Sequence, residues 1–220
     1  MIGAAPRLLG PLTTATYQEV PAGATVVGVR LRPGVLAGLV GFPAEELVDL
    51  DVAGVDVWRD VAELTDQLGA AATEGAALGR LQAFVARSAG APDPVVAEAV
   101  RLLMPRGRVG PSLLPSLLSI SERQLRRRCR AAVGVGPKAL HRILRFHGFN
   151  ARVLATISHG GAAEVELSRW AVEAGYHDQA HLHRECRRLL GVTPGEMLAQ
   201  AGEACPGRPP RTDDARRSDR

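Results

Sequence analysis

Four arginines stand at Arg123, Arg126, Arg127 and Arg130, a spacing of i, i+3, i+4 and i+7. On a helix this gathers four guanidinium groups on one face and leaves Leu125 and Cys129 on another. Like charges so placed repel and weaken the helix, and the one acid beside them in sequence is Glu122. A phosphate backbone would offset that repulsion, and arginine can also bond guanine O6 and N7 with a pair of hydrogen bonds. A second polar face follows, where Gln179, His183, Arg184 and Arg187 flank a stripe of Leu182, Cys186, Leu189 and Leu190. Glutamine suits adenine, arginine suits guanine or phosphate, and histidine can donate to either. A merely solvated charged surface is the competing reading of both faces.

The two faces belong to an internal repeat. SERQLRRRCRAAVGVGP (121–137) and DQAHLHRECRRLLGVTP (178–194) align at a constant offset of 57. Leu125, Arg127, Cys129 and Arg130 match Leu182, Arg184, Cys186 and Arg187; Gly134, Val135 and Pro137 match Gly191, Val192 and Pro194. Each copy opens on a capping residue, Ser121 or Asp178, and closes on Gly with Pro three residues later, the expected helix stop. Each follows a shorter amphipathic segment, 113–118 or 167–174, across a brief turn: Ser119-Ile120 in one, Gly175-Tyr176-His177 in the other. Short helix, tight turn and polar helix make the helix-turn-helix pattern. Two copies are too few for a solenoid and read as one small unit duplicated.

Charge is distributed to match. Residues 1–104 hold 7 Arg and 12 acids, whereas 105–204 hold 15 Lys and Arg against 8 acids. A basic half joined to an acidic half points to a polyanionic partner for the former. Aromatics make up only 4% of a chain that is 46% hydrophobic, so its core must be mostly Leu, Val and Ala, a composition that favours helices. Two β-like runs, 13–20 and 24–31, flank the turn Pro21-Ala22-Gly23. Helical periodicity then appears over 57–69 and 75–87, and Asp93-Pro94 marks the start of a further helix running to about Met104. Residues 205–220 read as a disordered tail.

The stretches 118–140 and 174–198 resemble the two units of the AraC/XylS family of bacterial transcription regulators. AGYHDQAHLHRECRRLLGVTPGEML (174–198) lies close to the second-unit signature of that family. The resemblance spans about 93–200 and implies a mainly α fold: a C-terminal all-α tandem helix-turn-helix domain over 93–201, joined by a linker helix at about 137–155, behind a small α+β N-terminal domain at 1–90. It also implies double-stranded DNA as partner, with recognition helices in successive major-groove segments about 34 Å apart. Base-contacting positions then fall on Arg123, Arg126 and Arg127, and on Gln179, Ala180, His181, His183 and Arg184; Ala180 offers only a thymine-methyl contact. RNA polymerase is a further partner such a regulator implies. Pro115 departs from the pattern, since it would remove a backbone bond from a support helix starting near Pro111. Ser119 stands at a turn position where the family often has Gly, and Cys129 and Cys186 replace bulky aromatics, which costs packing unless neighbours fill the space.

The stretch 28–58 resembles the end of the cupin-like sensor domain of many actinobacterial members, with too few strands before it for a whole barrel. The first His is His141 and the first Cys is Cys129, which excludes a cupin metal site there. An effector-sensing role and homodimerisation stay open for this part. A zinc site at His177, His181, His183 and Cys186 is unfavourable, because His181 and His183 point to different sides. No cofactor is expected and no enzyme: the DNA-repair activities sometimes fused to such domains need a nucleophilic Cys that 1–104 lacks, and Glu45-Glu46 or Asp49/Asp51 read as surface acids. An interaction module whose basic face meets an acidic protein is the alternative. Without an apolar run long enough for a membrane span, a secretory start or a disulfide framework, the chain reads as cytoplasmic and nucleoid-associated.

Overall fold

The computed structural model describes residues 5–16, 21, 23–104, 109–158 and 167–203. The tail 205–220 and Cys205 lie outside them. The described chain is mainly helical. Strands β1 (Arg7–Leu9) and β2 (Asp51–Ala53) pair antiparallel with Leu8 opposite Val52. Between them lie α1 (Leu36–Val40) and a single 3-10 turn (Ala44–Leu47). Helices α2 (Gly54–Val57), α3 (Val61–Gly69) and α4 (Glu74–Ser88) follow. Then come α5 (Pro94–Leu103), α6 (Leu114–Leu117), α7 (Glu122–Val133), α8 (Pro137–Ser158), α9 (Leu167–Glu173), α10 (Gln179–Leu190) and α11 (Pro194–Glu203).

The chain divides into two compact units, Met1–Arg145 and Phe146–Arg220. The first holds two cores. One packs Leu8, Leu36, Leu39, Leu47, Val61 and Leu64 around an edge-on Trp58–Phe84 pair. The other packs Val96, Ala99 and Leu103 of α5 against Leu114, Leu125, Cys129 and Leu140. In the second unit Phe146, Phe149 and Val153 of α8 meet Trp170, Tyr176, Leu182, Cys186 and Leu198.

The described parts of the β-like runs do not become strands. Residues 24–31 form no strand and are largely exposed, and Thr13 and Thr14 sit in a bend; 17–20 and 22 lie outside the described residues. β-branched residues favour a strand only where a partner supplies the ladder, and among the described residues none pairs with these runs. The one sheet among the described residues is the two-stranded pair, so 28–58 folds as α1, the 3-10 turn, β2 and α2. Asp49 fastens this region. Its backbone is left-handed (φ 57°), and its carboxylate accepts from the Thr13 N–H and hydroxyl, each at 2.6 Å.

Helix boundaries follow their caps. Asp93 Oδ1 accepts from Val95 N at 2.9 Å and Val96 N at 3.2 Å, with Pro94 in the first turn of α5. The support helix α6 begins at Leu114, which puts Pro115 in its first turn, where amides have no helical partner in any case. Pro115 therefore removes no bond, contrary to the expectation from a start near Pro111. Both support helices end alike. Ser119 N donates to Ser116 O and Ile120 N to Pro115 O, and Gly175 N and Tyr176 N donate to Val172 O and Ala171 O in the same way. This is the Schellman closure, which needs one left-handed residue: Gly175 at φ 82°, but Ser119 at φ 52°.

A side chain in the left-handed region costs about 1 kcal/mol or more, partly offset by the stiffness it lends the unfolded chain. Ser119→Gly should therefore stabilise the chain by about 0.5 kcal/mol and Gly175→Ala destabilise it by about 1 kcal/mol, as read by denaturant unfolding. For Asp49, burial opposes the charge, but hydrogen bonds from Thr13 and Thr14 hold the carboxyl below its usual value. A carboxyl depressed on folding stabilises above its unfolded pKa, about 4, and that contribution fades as pH falls through the lower folded value. Exchange of the Thr13 amide should thus gain an extra acceleration in acid, below about pH 4, which Asp49→Asn abolishes.

Candidate nucleic-acid interface

Helix α7 starts in a reciprocal cap. Gln124 N donates to Ser121 Oγ at 3.2 Å, and Ser121 N donates to Gln124 Oε1 at 3.1 Å. Leu125, Cys129, Ala132 and Val133 are buried, which turns Arg123, Arg126, Arg127 and Arg130 outward, all exposed. No ion pair joins Arg123, Arg126 or Arg127 to an acid among the described residues. Arg128 points elsewhere: its Nη1 donates to Asp93 Oδ2 at 2.8 Å. One carboxylate thus caps α5 and fixes the roll of α7. Arg130 Nε lies 3.9 Å from Glu45 Oε2 in the 3-10 turn.

In the second unit Asp178 caps α10, accepting from His181 N at 2.6 Å. Leu182 and Cys186 are buried, and Gln179, Ala180, Arg184 and Arg187 are exposed. His181 and His183 are half-buried. The His181 ring stands edge-on to Tyr176, centroids 5.3 Å apart, while His177 stacks over it at 5.8 Å and 16°. Tyr176 is itself edge-on to Phe149. His181 is therefore held by the turn, whereas Gln179, Ala180 and Arg184 present free outer faces. Arg152 and Arg169 both bond Glu173, which ties α8 to the support helix α9. No cluster of three or more His, Cys, Asp or Glu suited to a metal occurs among the described residues.

Helices α7 and α10 are the same object built twice. Glu122–Val133 and Gln179–Leu190 are both twelve residues long and lie 57 apart; both close on a left-handed glycine, Gly134 (φ 87°) or Gly191 (φ 75°). Each follows a support helix with the same closure and presents an exposed cationic face opposite a Leu/Cys stripe. A family model described as a helix-turn-helix domain matches residues 116–200. This part of the chain is an AraC-type helix-turn-helix domain. Comparisons with curated proteins and with solved structures give no match. The AraC-type domain equips the chain as a DNA-binding transcription regulator. Among the described residues no helix is long and apolar enough to cross a membrane.

Sequence reasoning missed the partners of the acids. Glu45, Asp49 and Asp51 look like surface charges, yet they meet Arg130, Thr13 and Arg7. The capping pattern Asp93-Pro94 was visible, but not the second use of Asp93 by Arg128, 35 residues on. The thiols that stand where the family has aromatics are fully buried, Cys129 and Cys186 both at 0% exposure. Burial pushes Cys129 up to about 11, with Asp93 adding to it, and Cys186 up to about 12, with Glu185 adding. Thiolate is the reactive form. At pH 8, iodoacetamide should leave both unlabelled in the folded chain and label both in urea, as read by peptide mass spectrometry. Rapid labelling of either in the folded chain would contradict this packing.

Proposed function

We propose that this chain is a sequence-specific double-stranded DNA-binding regulator, without enzymatic activity, that sets α7 and α10 in successive major-groove segments of one DNA face. The observation that carries this reading is the duplication itself: two capped helices in the same register, each with an exposed face of base-reading residue types. Arg123, Arg126 and Arg127 suit guanines in one half of the site. In the other half Gln179 suits adenine, Ala180 a thymine methyl, and Arg184 guanine, with His181 and His183 as further donors at the groove wall. Arg130 and Arg187, in the last turn of each helix, suit phosphate. Residues 93–201 make up the DNA-binding part, and 1–90 serve dimerisation or sensing.

The unequal faces give the halves unequal characters. Three arginines without an acid partner among the described residues make the first half the stronger electrostatic grip, while the mixed chemistry of α10 makes the second the more discriminating. Binding should weaken steeply with salt, since each neutralised phosphate releases counterions.

Selection of duplexes from a random pool by the full chain should enrich a bipartite sequence. Arg126→Ala with Arg127→Ala should erase preference in one half and leave the other intact, a loss of about 1–3 kcal/mol for each two-bond guanine contact removed. Equal weakening on every duplex would reduce those arginines to phosphate contacts. A pool with no enriched sequence would sink the regulator reading.

A further inference from the structure

The second unit carries its own acid beside the last arginine of its recognition face. Glu196, in the first turn of α11, accepts from Thr193 N at 2.6 Å and Thr193 Oγ1 at 2.8 Å, and lies within electrostatic reach of Arg187. The repeat register puts Ala139 at the matching position of the first unit. The counterpart arginine, Arg130, nevertheless meets an acid, and it comes from far away in sequence: Glu45, 3.9 Å distant.

Packing holds Glu45 there. Its neighbours Ala44 and Leu47 are buried, and the 3-10 turn and α1 both pack on α7. The left-handed Gly134 that ends α7 is pressed so closely that a Cβ there would come within 2.7 Å of Pro11 Cγ and 3.0 Å of the Ala44 carbonyl oxygen. The Thr13–Asp49 bonds tie the two strands of chain that form this cover. The N-terminal segment thus delivers a carboxylate to the arginine of α7 that matches, in the repeat, the arginine within reach of Glu196 on α10.

We propose that Glu45 competes with DNA phosphate for Arg130, so that the N-terminal segment sets how strongly the first recognition helix grips DNA. This rests on α7 being a DNA-contacting helix. Four guanidinium groups on one face repel, and Glu45 stands beside the one nearest the C-terminal end. Arg130 and Glu45 are both substantially exposed, and exposed pairs contribute little to stability, so phosphate can displace the carboxylate. Among the described residues Arg123, Arg126 and Arg127 have no such partner to surrender. Glu45 acts through Arg130 and is a positioning residue for binding.

The test uses the full chain on a duplex that it selects, with affinity measured across a salt series. Glu45→Gln should tighten binding about 2- to 5-fold, the range an exposed pair supports, and steepen the slope of log K against log salt by up to about 0.9, one phosphate. Glu46→Gln removes the same charge one residue on and should have less than half that effect. In an Arg130→Ala background Glu45→Gln should change nothing, a non-additivity that reports the pair. The inference is overturned if Glu45→Gln matches Glu46→Gln, acts equally without Arg130, or leaves affinity and slope unchanged. Should the wild-type chain select no duplex at all, the DNA reading itself falls and this inference with it.

Discussion

A support helix can turn into a recognition helix only where one residue leaves the right-handed conformation and the carbonyls it abandons find new donors. Ser119 and Gly175 are those residues, and the amides of Ser119–Ile120 and Gly175–Tyr176 are those donors. Everything else in each unit depends on this reversal. The residue after it, Ile120 or Tyr176, drops into its core. One or two positions later Ser121 or Asp178 caps the next helix, and the buried Leu and Cys then dictate which side chains face outward. The cationic faces are therefore a consequence of backbone closure, and not an independent feature.

The two units solve one problem with different means. The second unit has Gly at its reversal, inserts His177 into the turn and stacks it on His181, and finds the acid for Arg187 within its own α11. The first accepts a strained Ser119, has a shorter turn, and takes its acid from a segment about 85 residues upstream of Arg130 in sequence. Its recognition helix is consequently covered at the C-terminal end by residues of the N-terminal segment, and residues 1–145 form one compact unit. The division into compact units differs from the division into repeat copies, because the contacts that bury α7 come from both α5 and the N-terminal segment.

Local signals were legible in the sequence. The repeat at 57, the Ser121, Asp178 and Asp93 caps, the Gly–Pro helix stops and the buried Leu/Cys stripes all depend on residues within one or two turns of each other, and all appear in place. The AraC-type domain and the mainly helical fold were readable for the same reason. Non-local choices were not. Residues 24–31 have strand-forming side chains but no partner strand among the described residues, and Pro115 looks like a helix breaker until the fold starts α6 one residue before it. The pairings Glu45–Arg130, Asp93–Arg128 and Asp49–Thr13 span long stretches of chain, and nothing in the local pattern marks an acid as the partner of one distant group rather than of water.

On the proposed reading, two helices of one chain read the major groove side by side. Methylation interference on a selected duplex examines this directly, because a methyl group on guanine N7 blocks major-groove contact. Reading by both α7 and α10 gives two clusters of interfering guanines on one face of the duplex, about 10–10.5 base pairs apart. The cluster facing α7 should disappear when Arg126 and Arg127 are both replaced. A single cluster in the unaltered chain, or interference that tracks the minor groove instead, would contradict it.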